Sequence, residues 1–191
     1  MKYKIGIFGS SAGDVAIAMP KAIEIGKALG QYKNSIIVIN GACPGLPYAA
    51  AKQAADQGVE VWGFSSSHNA EEQQREYPTD NLRIYKKLIY VPEDFAFASY
   101  DRACKKYRNV ISTANCDAGI IIAGQWGTLN EFTNLIDMQK TVGILTDSGG
   151  IADELPALSR KISKAGQGTI IFDDDPKTLV AKLLKNLTNI T

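Results

Sequence analysis

The chain has 191 residues, with 21 Lys and Arg against 20 Asp and Glu, for a net charge of +1. Hydrophobic residues make up 45% and charged residues 21%. That is the composition of a soluble globular chain, one domain over 1–191, whose core needs no disulfide or metal staple. The near-zero charge offers no basic field for a long polyanion, so no nucleic-acid partner is expected. Three distant cysteines, Cys43, Cys104 and Cys116, fit a reducing compartment. One histidine, His68, excludes a multi-histidine metal site and argues against a Ser-His-Asp triad. No run approaches a membrane span of ~18 residues, so no membrane partner is expected and the reading is cytoplasmic.

Short apolar runs alternate with helical patterns. Lys4–Gly9 reads as a buried strand entering Gly9-Ser10-Ser11. A helix follows from Pro20, which suits a first turn, through Ile23, Ile25, Ala28 and Leu29 to Gly30. Ser35–Ile39 is a second strand, running into Asn40-Gly41-Ala42 and an alanine-rich helix over Gly45–Gln57. Val59–Phe64 is a third strand. Ser65 to Asn81 is polar and aperiodic, and reads as a long loop. Leu88–Val91 is a short strand, Phe97 to about Ala114 a helix, Cys116–Ala123 a central strand and Gly127–Met138 a helix. Val142–Leu145, Ile151–Ala165 and Gly168–Phe172 continue as strand, helix and strand. Asp175-Pro176 then caps a last helix to Leu187.

This alternation predicts an α/β fold: a mostly parallel sheet of about seven strands with helices on both faces. Ligands of such sheets sit beyond the carboxyl ends of the strands. Three loops should meet there: Gly9-Ser10-Ser11, Asn40–Gly45 and Gly124–Thr128.

The sharpest local signal is Gly124-Gln125-Trp126-Gly127-Thr128-Leu129-Asn130-Glu131. It follows three isoleucines and opens a helix, whose free N–H groups and positive dipole end suit a phosphate. The same residues also satisfy an ordinary capped turn, with Thr128 as N-cap and Glu131 as its capping-box partner. On the preceding helix, Arg102, Lys105 and Lys106 read as a solvated face, while Arg108 is placed to point along the top of the sheet. Gly41, Ala42 and Gly45 shape the turn after the second strand. Cys43 in that turn has no histidine in any recognisable relation to it, which argues against a nucleophile. His68 reads as loop decoration, and Asp173-Asp174-Asp175 as a capping run before Pro176 rather than a metal site.

Taken together, Ile-Phe-Gly-Ser-Ser near the start, the Gly-x-x-x-Gly-Leu loop with its alanine-rich helix, Arg108-Asn109, and Gly-x-x-Gly-Thr-x-x-Glu resemble the LOG family. Those are cytokinin-activating phosphoribohydrolases, long mislabelled as lysine decarboxylases. The resemblance extends over about residues 4–185. Arg108-Asn109 and Asp147-Ser148-Gly149-Gly150 are closer to a Rossmann-like branch that includes the molybdenum cofactor carrier protein. Where the hydrolases read Pro-Gly-Gly-x-Gly-Thr-x-x-Glu-Glu, this chain has Ala123 for the proline, Gln125 for the second glycine and Asn130 for the first glutamate. Asn40-Gly41-Ala42-Cys43 stands for the usual Gly-Gly-Gly.

The resemblance implies a single Rossmann-like domain that binds a nucleoside 5′-monophosphate or another phosphorylated small molecule. Gly9, Ser10, Ser11, Gly41, Ala42, Gly45, Gly124, Gln125, Trp126, Gly127 and Thr128 would hold the ligand. Glu131 and Arg108 would act on it, cleaving the N-glycosidic bond to a free base and ribose 5-phosphate with no metal and no cofactor. The alternative is a non-enzymatic carrier of a phosphorylated ligand such as molybdenum cofactor. Lysine decarboxylation is excluded, since none of the three loops holds a lysine for pyridoxal phosphate. A homodimer or higher oligomer is also implied, with the helix around 97–114 as the candidate interface and Phe95, Phe97 and Tyr100 as large rings near its start.

Overall fold

The computed structural model describes residues 2–11, 15–162 and 166–188. Seven strands alternate with seven helices: β1 (Tyr3–Gly9), α1 (Met19–Gly30), β2 (Ile36–Asn40), α2 (Leu46–Asp56), β3 (Glu60–Phe64), α3 (Ala70–Glu76), β4 (Lys87–Ile89), α4 (Asp101–Ala114), β5 (Ala118–Ile122), α5 (Trp126–Asp137), β6 (Thr141–Leu145), α6 (Gly150–Lys161), β7 (Ile170–Asp173) and α7 (Pro176–Thr188). The strands form one sheet in the order β4-β3-β2-β1-β5-β6-β7, and every pairing is parallel. The chain builds outward from β1 to one side and then from β5 to the other. The order therefore reverses between β1 and β5, where Gly9 pairs with Ile122.

Side-chain alternation along the strands divides the core in two. Ile5 and Ile7 of β1 and Ala118, Ile120 and Ile122 of β5 join α1, α2 and α7 on one face. Phe8 and Ile121 join Phe132 and Leu135 of α5 and Ala152 and Leu155 of α6 on the other. The alanines of α2 let it approach α1 closely: a Cβ on Gly26 would lie 2.3 Å from the Ala50 carbonyl oxygen. At the end of the chain, Leu179, Val180, Leu183 and Leu184 give α7 its buried stripe. Asp175 caps that helix, its Oδ1 accepting from Thr178 N at 2.8 Å.

Three expectations are corrected. The stretch from Ser65 to Asn81 is not without regular structure: it contains α3, whose start is capped by Asn69 Oδ1 accepting from Glu72 N at 2.9 Å. Only Gln73 of that helix is buried, so no apolar period betrays it. The helix expected from Phe97 begins at Asp101, because 95–100 is a succession of tight turns. Its ring-bearing residues Phe97 and Tyr100, expected at a subunit contact, are 61% and 56% exposed. The helix expected over Ile151–Ala165 runs over Gly150–Lys161, and the last three residues of that expectation lie outside the described residues.

Candidate functional site

The three loops meet where the strand order reverses. Ser10 joins them: its Oγ accepts from Gly124 N at 2.9 Å, and its carbonyl oxygen accepts from Leu46 N at 2.9 Å. A Cβ on Gly45, where φ is +98°, would lie 2.4 Å from Ser10 O, so only glycine admits this approach. Between the loops lies a cavity of about 150 Å³, open at its mouth. Gly9, Ser10 and Ser11 line it from β1, Gly41, Cys43 and Pro47 from the β2–α2 loop, Arg108 from α4, and Gln125, Gly127, Thr128 and Glu131 from α5.

The start of α5 resolves the ambiguity left by the sequence. Gln125 is the N-cap, in extended conformation and without a side-chain cap. The first intrahelical bond runs from Leu129 N to Gln125 O at 2.9 Å. Thr128 is thus the third helical residue, not the cap, and no capping box forms with Glu131. The backbone N–H groups of Trp126, Gly127 and Thr128 meet no acceptor among the described residues, as first-turn amides do unless something caps them. Nothing lies within 4 Å of a Cβ built on Gly127. The turn itself is fixed from two sides: the Ser10 hydroxyl holds Gly124 N, and Ser148 Oγ accepts from Ala123 N at 2.8 Å.

Arg108 enters the cavity from α4 with its side chain 11% exposed. Its Nη1 donates to Gly41 O at 3.0 Å, and its Nε and Nη2 donate to Asn109 Oδ1 at 3.2 and 2.9 Å. Asn109 is fixed in turn by donating from Nδ2 to Asn130 Oδ1 at 3.2 Å. The Glu131 carboxylate stands 4.0 Å from Arg108 Nη2. Burial pushes Glu131 up to about 7, against the downward pull of Arg108 and Lys106. Burial likewise raises the Cys43 thiol despite Arg108 nearby, which suits a neutral wall rather than a thiolate nucleophile.

Four of the expected residues do not line the cavity, and three of them shape it from behind. Ala42 is buried at φ +46° and Gly124 turns at φ +99°, Gly45 makes the close approach to Ser10, and Trp126 is 83% exposed. The Trp126 side faces a separate hollow with Leu129 and Ile151. Three residues were not singled out as site residues: Asn109, which orients Arg108; Pro47, which walls the cavity; and Gln73. The Gln73 Nε2 donates to Ala42 O at 2.7 Å, and its Oε1 accepts from the Ser65 hydroxyl, bracing the β2–α2 loop from behind. His68 is not loop decoration either, since both ring nitrogens face backbone carbonyls. The aspartate run caps α7, and Asp173 pairs with Lys182 at 2.6 Å. No cluster of metal-ligating side chains occurs among the described residues, and no helix among them is long and apolar enough to cross a membrane.

A doubly wound parallel sheet whose reversal point carries glycine turns, free helix-start amides and a buried arginine defines a Rossmann-like chain with an anion-ready crevice. This chain belongs to the SLOG cluster4 family, whose profile matches residues 2–180. The sequence matches no curated protein. Among solved structures it is similar to TM1055, at 18% identity and a TM-score of 0.73, covering 97% of this chain and 99% of that one. It is also similar to the molybdenum cofactor binding protein of Rippkaea orientalis, at 19% identity and a TM-score of 0.70, covering 100% and 99%. DNA processing protein A of Helicobacter pylori matches at 16% identity and a TM-score of 0.67, covering 96% of this chain and 81% of that one. That last structure is described in a single-stranded DNA binding mode. It overturns the expectation that nucleic acid is excluded: a protein similar in fold binds single-stranded DNA, and net charge averaged over the whole surface does not report on one local patch.

Proposed function

We propose that this protein binds a phosphorylated small molecule of the nucleoside 5′-monophosphate class, with the phosphate on the Gly124–Thr128 turn. One observation carries this reading: among the described residues, the first-turn amides of Gly127 and Thr128, two residues that line the cavity, meet no protein acceptor. A helix start of this kind favours negative charge through its unpaired N–H groups and dipole. Arg108, held in place by Gly41 O and Asn109, adds a fixed positive charge beside the bound phosphate. The cavity has room for a phosphate and the adjoining part of a sugar, with the rest of the ligand at its mouth.

On this placement Glu131, one turn into α5, faces the sugar. Cleavage of an N-glycosidic bond builds positive charge on the sugar, which an ionised carboxylate opposes. A carboxyl poised near 7 also exchanges a proton with water or a leaving base at neutral pH. The products are a free base and a sugar phosphate.

A second reading, a carrier that holds its ligand intact, is favoured by one specific feature. Glycosidic cleavage generally divides its work between two carboxylates, and Glu131 is the one carboxylate lining this cavity among the described residues. At the neighbouring position stands Asn130, whose amide is engaged with Asn109. One experiment separates the two. Thermal unfolding is followed with inorganic phosphate, ribose 5-phosphate and AMP, and the AMP sample is then assayed for free adenine. Protection with release of adenine supports the hydrolase. Protection without release supports the carrier. No shift with any of the three at millimolar concentration overturns the phosphate site itself.

A further inference from the structure

Away from the cavity, the chain's single histidine sits in an arrangement the proposed site does not use. The segment from Val91 to Tyr100 leaves β4 and crosses to α4 through tight turns, with Phe95 N bonded to Pro92 O at 3.2 Å and Ala98 N to Phe95 O at 2.9 Å. The His68 ring lies between the two ends of this strap. Its Nδ1 is 3.1 Å from Val91 O and its Nε2 is 3.0 Å from Ala98 O. Both partners are backbone carbonyls, which only accept. A neutral imidazole carries one N–H, so one of the two contacts would set a nitrogen lone pair against an oxygen lone pair. Only the imidazolium donates to both.

We propose that His68 is a one-proton latch: as an imidazolium it clasps both ends of the Val91–Ala98 strap onto the β3–α3 loop, and loss of that proton frees one of the two ends.

The groups around the ring agree with this. Glu72 on α3 accepts from His68 N through Oε2 at 2.9 Å, and Glu93 belongs to the strap itself. Both carboxylates favour the cation. From α4, Cys104 donates its thiol to the same Ala98 carbonyl at 3.3 Å, which a carbonyl with two lone pairs accommodates. Farther along, Glu76 and Lys105 pair with each other at 3.7 Å. The two carbonyl contacts and the neighbouring carboxylates raise the His68 pKa above 6.5, against the opposing effect of burial. Because the folded value is raised, the latch is fully closed below the unfolded value and opens as pH rises through the folded one. The strap leads directly into α4: Cys104 N bonds to Tyr100 O at 3.1 Å, and Arg108 follows one turn later. A loosened strap therefore frees the start of the helix that carries Arg108.

The test uses the unmodified protein, which gives one imidazole Hε1 resonance by NMR. Its titration midpoint is expected above 6.5. Amide protection factors over residues 93–99, corrected for intrinsic exchange, are expected to fall between pH 5.5 and 8.5. Each pH unit by which the midpoint exceeds 6.5 corresponds to about tenfold in strap opening. A midpoint at or below 6.5, or protection that does not change across this range, overturns the latch. His68→Phe keeps a planar ring without donors. It is expected to give, at pH 5.5, strap protection at or below what the unmodified protein shows at pH 8.5. Full strap protection in that variant overturns the proposal. If the variant does not fold, the histidine titration and the strap exchange of the unmodified protein decide alone.

Discussion

Arg108 and Glu131 face each other across the cavity without a hydrogen bond. Nη2 and Oε1 are 4.0 Å apart, while three guanidinium contacts go to Gly41 O and Asn109 Oδ1. The arginine is thus oriented by neutral acceptors, and its positive charge is not cancelled by a tight ion pair. The glutamate is buried with only partial compensation, which is why its pKa rises to about 7.

A stability experiment isolates Glu131. Its folded pKa of about 7 lies above the unfolded value of 4.5, so between these values the folded state binds more protons than the unfolded state. Its contribution is present below 4.5 and is lost as pH rises through 7. At pH 8 the buried carboxylate then weighs against folding by up to about 3 kcal/mol. Glu131→Gln should leave urea-unfolding stability nearly unchanged at pH 5 and raise it at pH 8. Equal effects at both pH values would show that the folded Glu131 titrates near its ordinary value.

Arg108→Ala should weaken phosphate binding. A hydrogen bond to a charged group contributes about 1.5–3 kcal/mol, so the dissociation constant should rise roughly 10- to 100-fold. The same change removes the group that pulls Glu131 downward, so Glu131 should titrate still higher. Calorimetric titration with phosphate, compared between the variant and the unmodified protein, measures the first effect. Unchanged affinity would place the anion away from the guanidinium.

Much of this site is legible in the sequence because its parts are punctuated. Glycines mark the ends of β1, β2 and β5, and a run of isoleucines marks β5 as central, so three converging turns follow from chain order alone. Arg108 stands out because it is followed by Asn109, Ile111 and Ser112 rather than by more charge. The supporting residues are less visible. Asn109 and Asn130 are ordinary polar residues until their helices pack and bring their amides to 3.2 Å. Helix α3 is missed because six of its seven residues face outward or sideways, so polar composition reads as loop. The role of His68 depends on two carbonyls 23 and 30 residues away, a relationship no local pattern carries. Thr128 shows the converse: local pattern admits it as a cap, yet the cap falls three residues earlier because Gln125 is extended and β5 ends at Ile122.

Two glycines of the α5 turn should respond differently to alanine. Gly127 has open space around a built Cβ and lines the cavity. Gly127→Ala should fold as stably as the unmodified protein or gain up to about 1 kcal/mol from helix propensity. Its new methyl enters the anion site, so protection by phosphate should be reduced or lost. Gly124 has φ +99°, and a Cβ there would lie 2.4 Å from Thr128. Gly124→Ala should therefore destabilise the fold itself, by roughly 1–3 kcal/mol from the strained backbone alone. Melting curves of both variants, with and without phosphate, check the pair. Strong protection of Gly127→Ala by phosphate would remove this turn from the binding site.

The last expectation concerns Gln73, which touches no ligand. It is completely buried, and its side-chain amide joins α3 to the β2–α2 loop through Ala42 O and to the end of β3 through the Ser65 hydroxyl. Ala42 sits at φ +46°, a conformation that needs outside support in a residue with a Cβ. It is flanked by Gly41, which holds Arg108, and by Cys43, which walls the cavity. Gln73→Leu keeps much of the volume but leaves the Ala42 carbonyl and the Ser65 hydroxyl without their partner. Each buried orphan costs about 1–3 kcal/mol, so stability should fall by several degrees in melting temperature. Because the loop holds Gly41 O against Arg108, phosphate affinity should fall as well, although the substitution lies outside the cavity. Gln73→Glu tests the donor from the other side. Its buried carboxylate accepts from Ser65 but sets an oxygen against Ala42 O with no cation to pair it, so at neutral pH it should lose affinity and be less stable than the leucine variant. Normal phosphate affinity in both variants would show that the loop keeps its shape without Gln73.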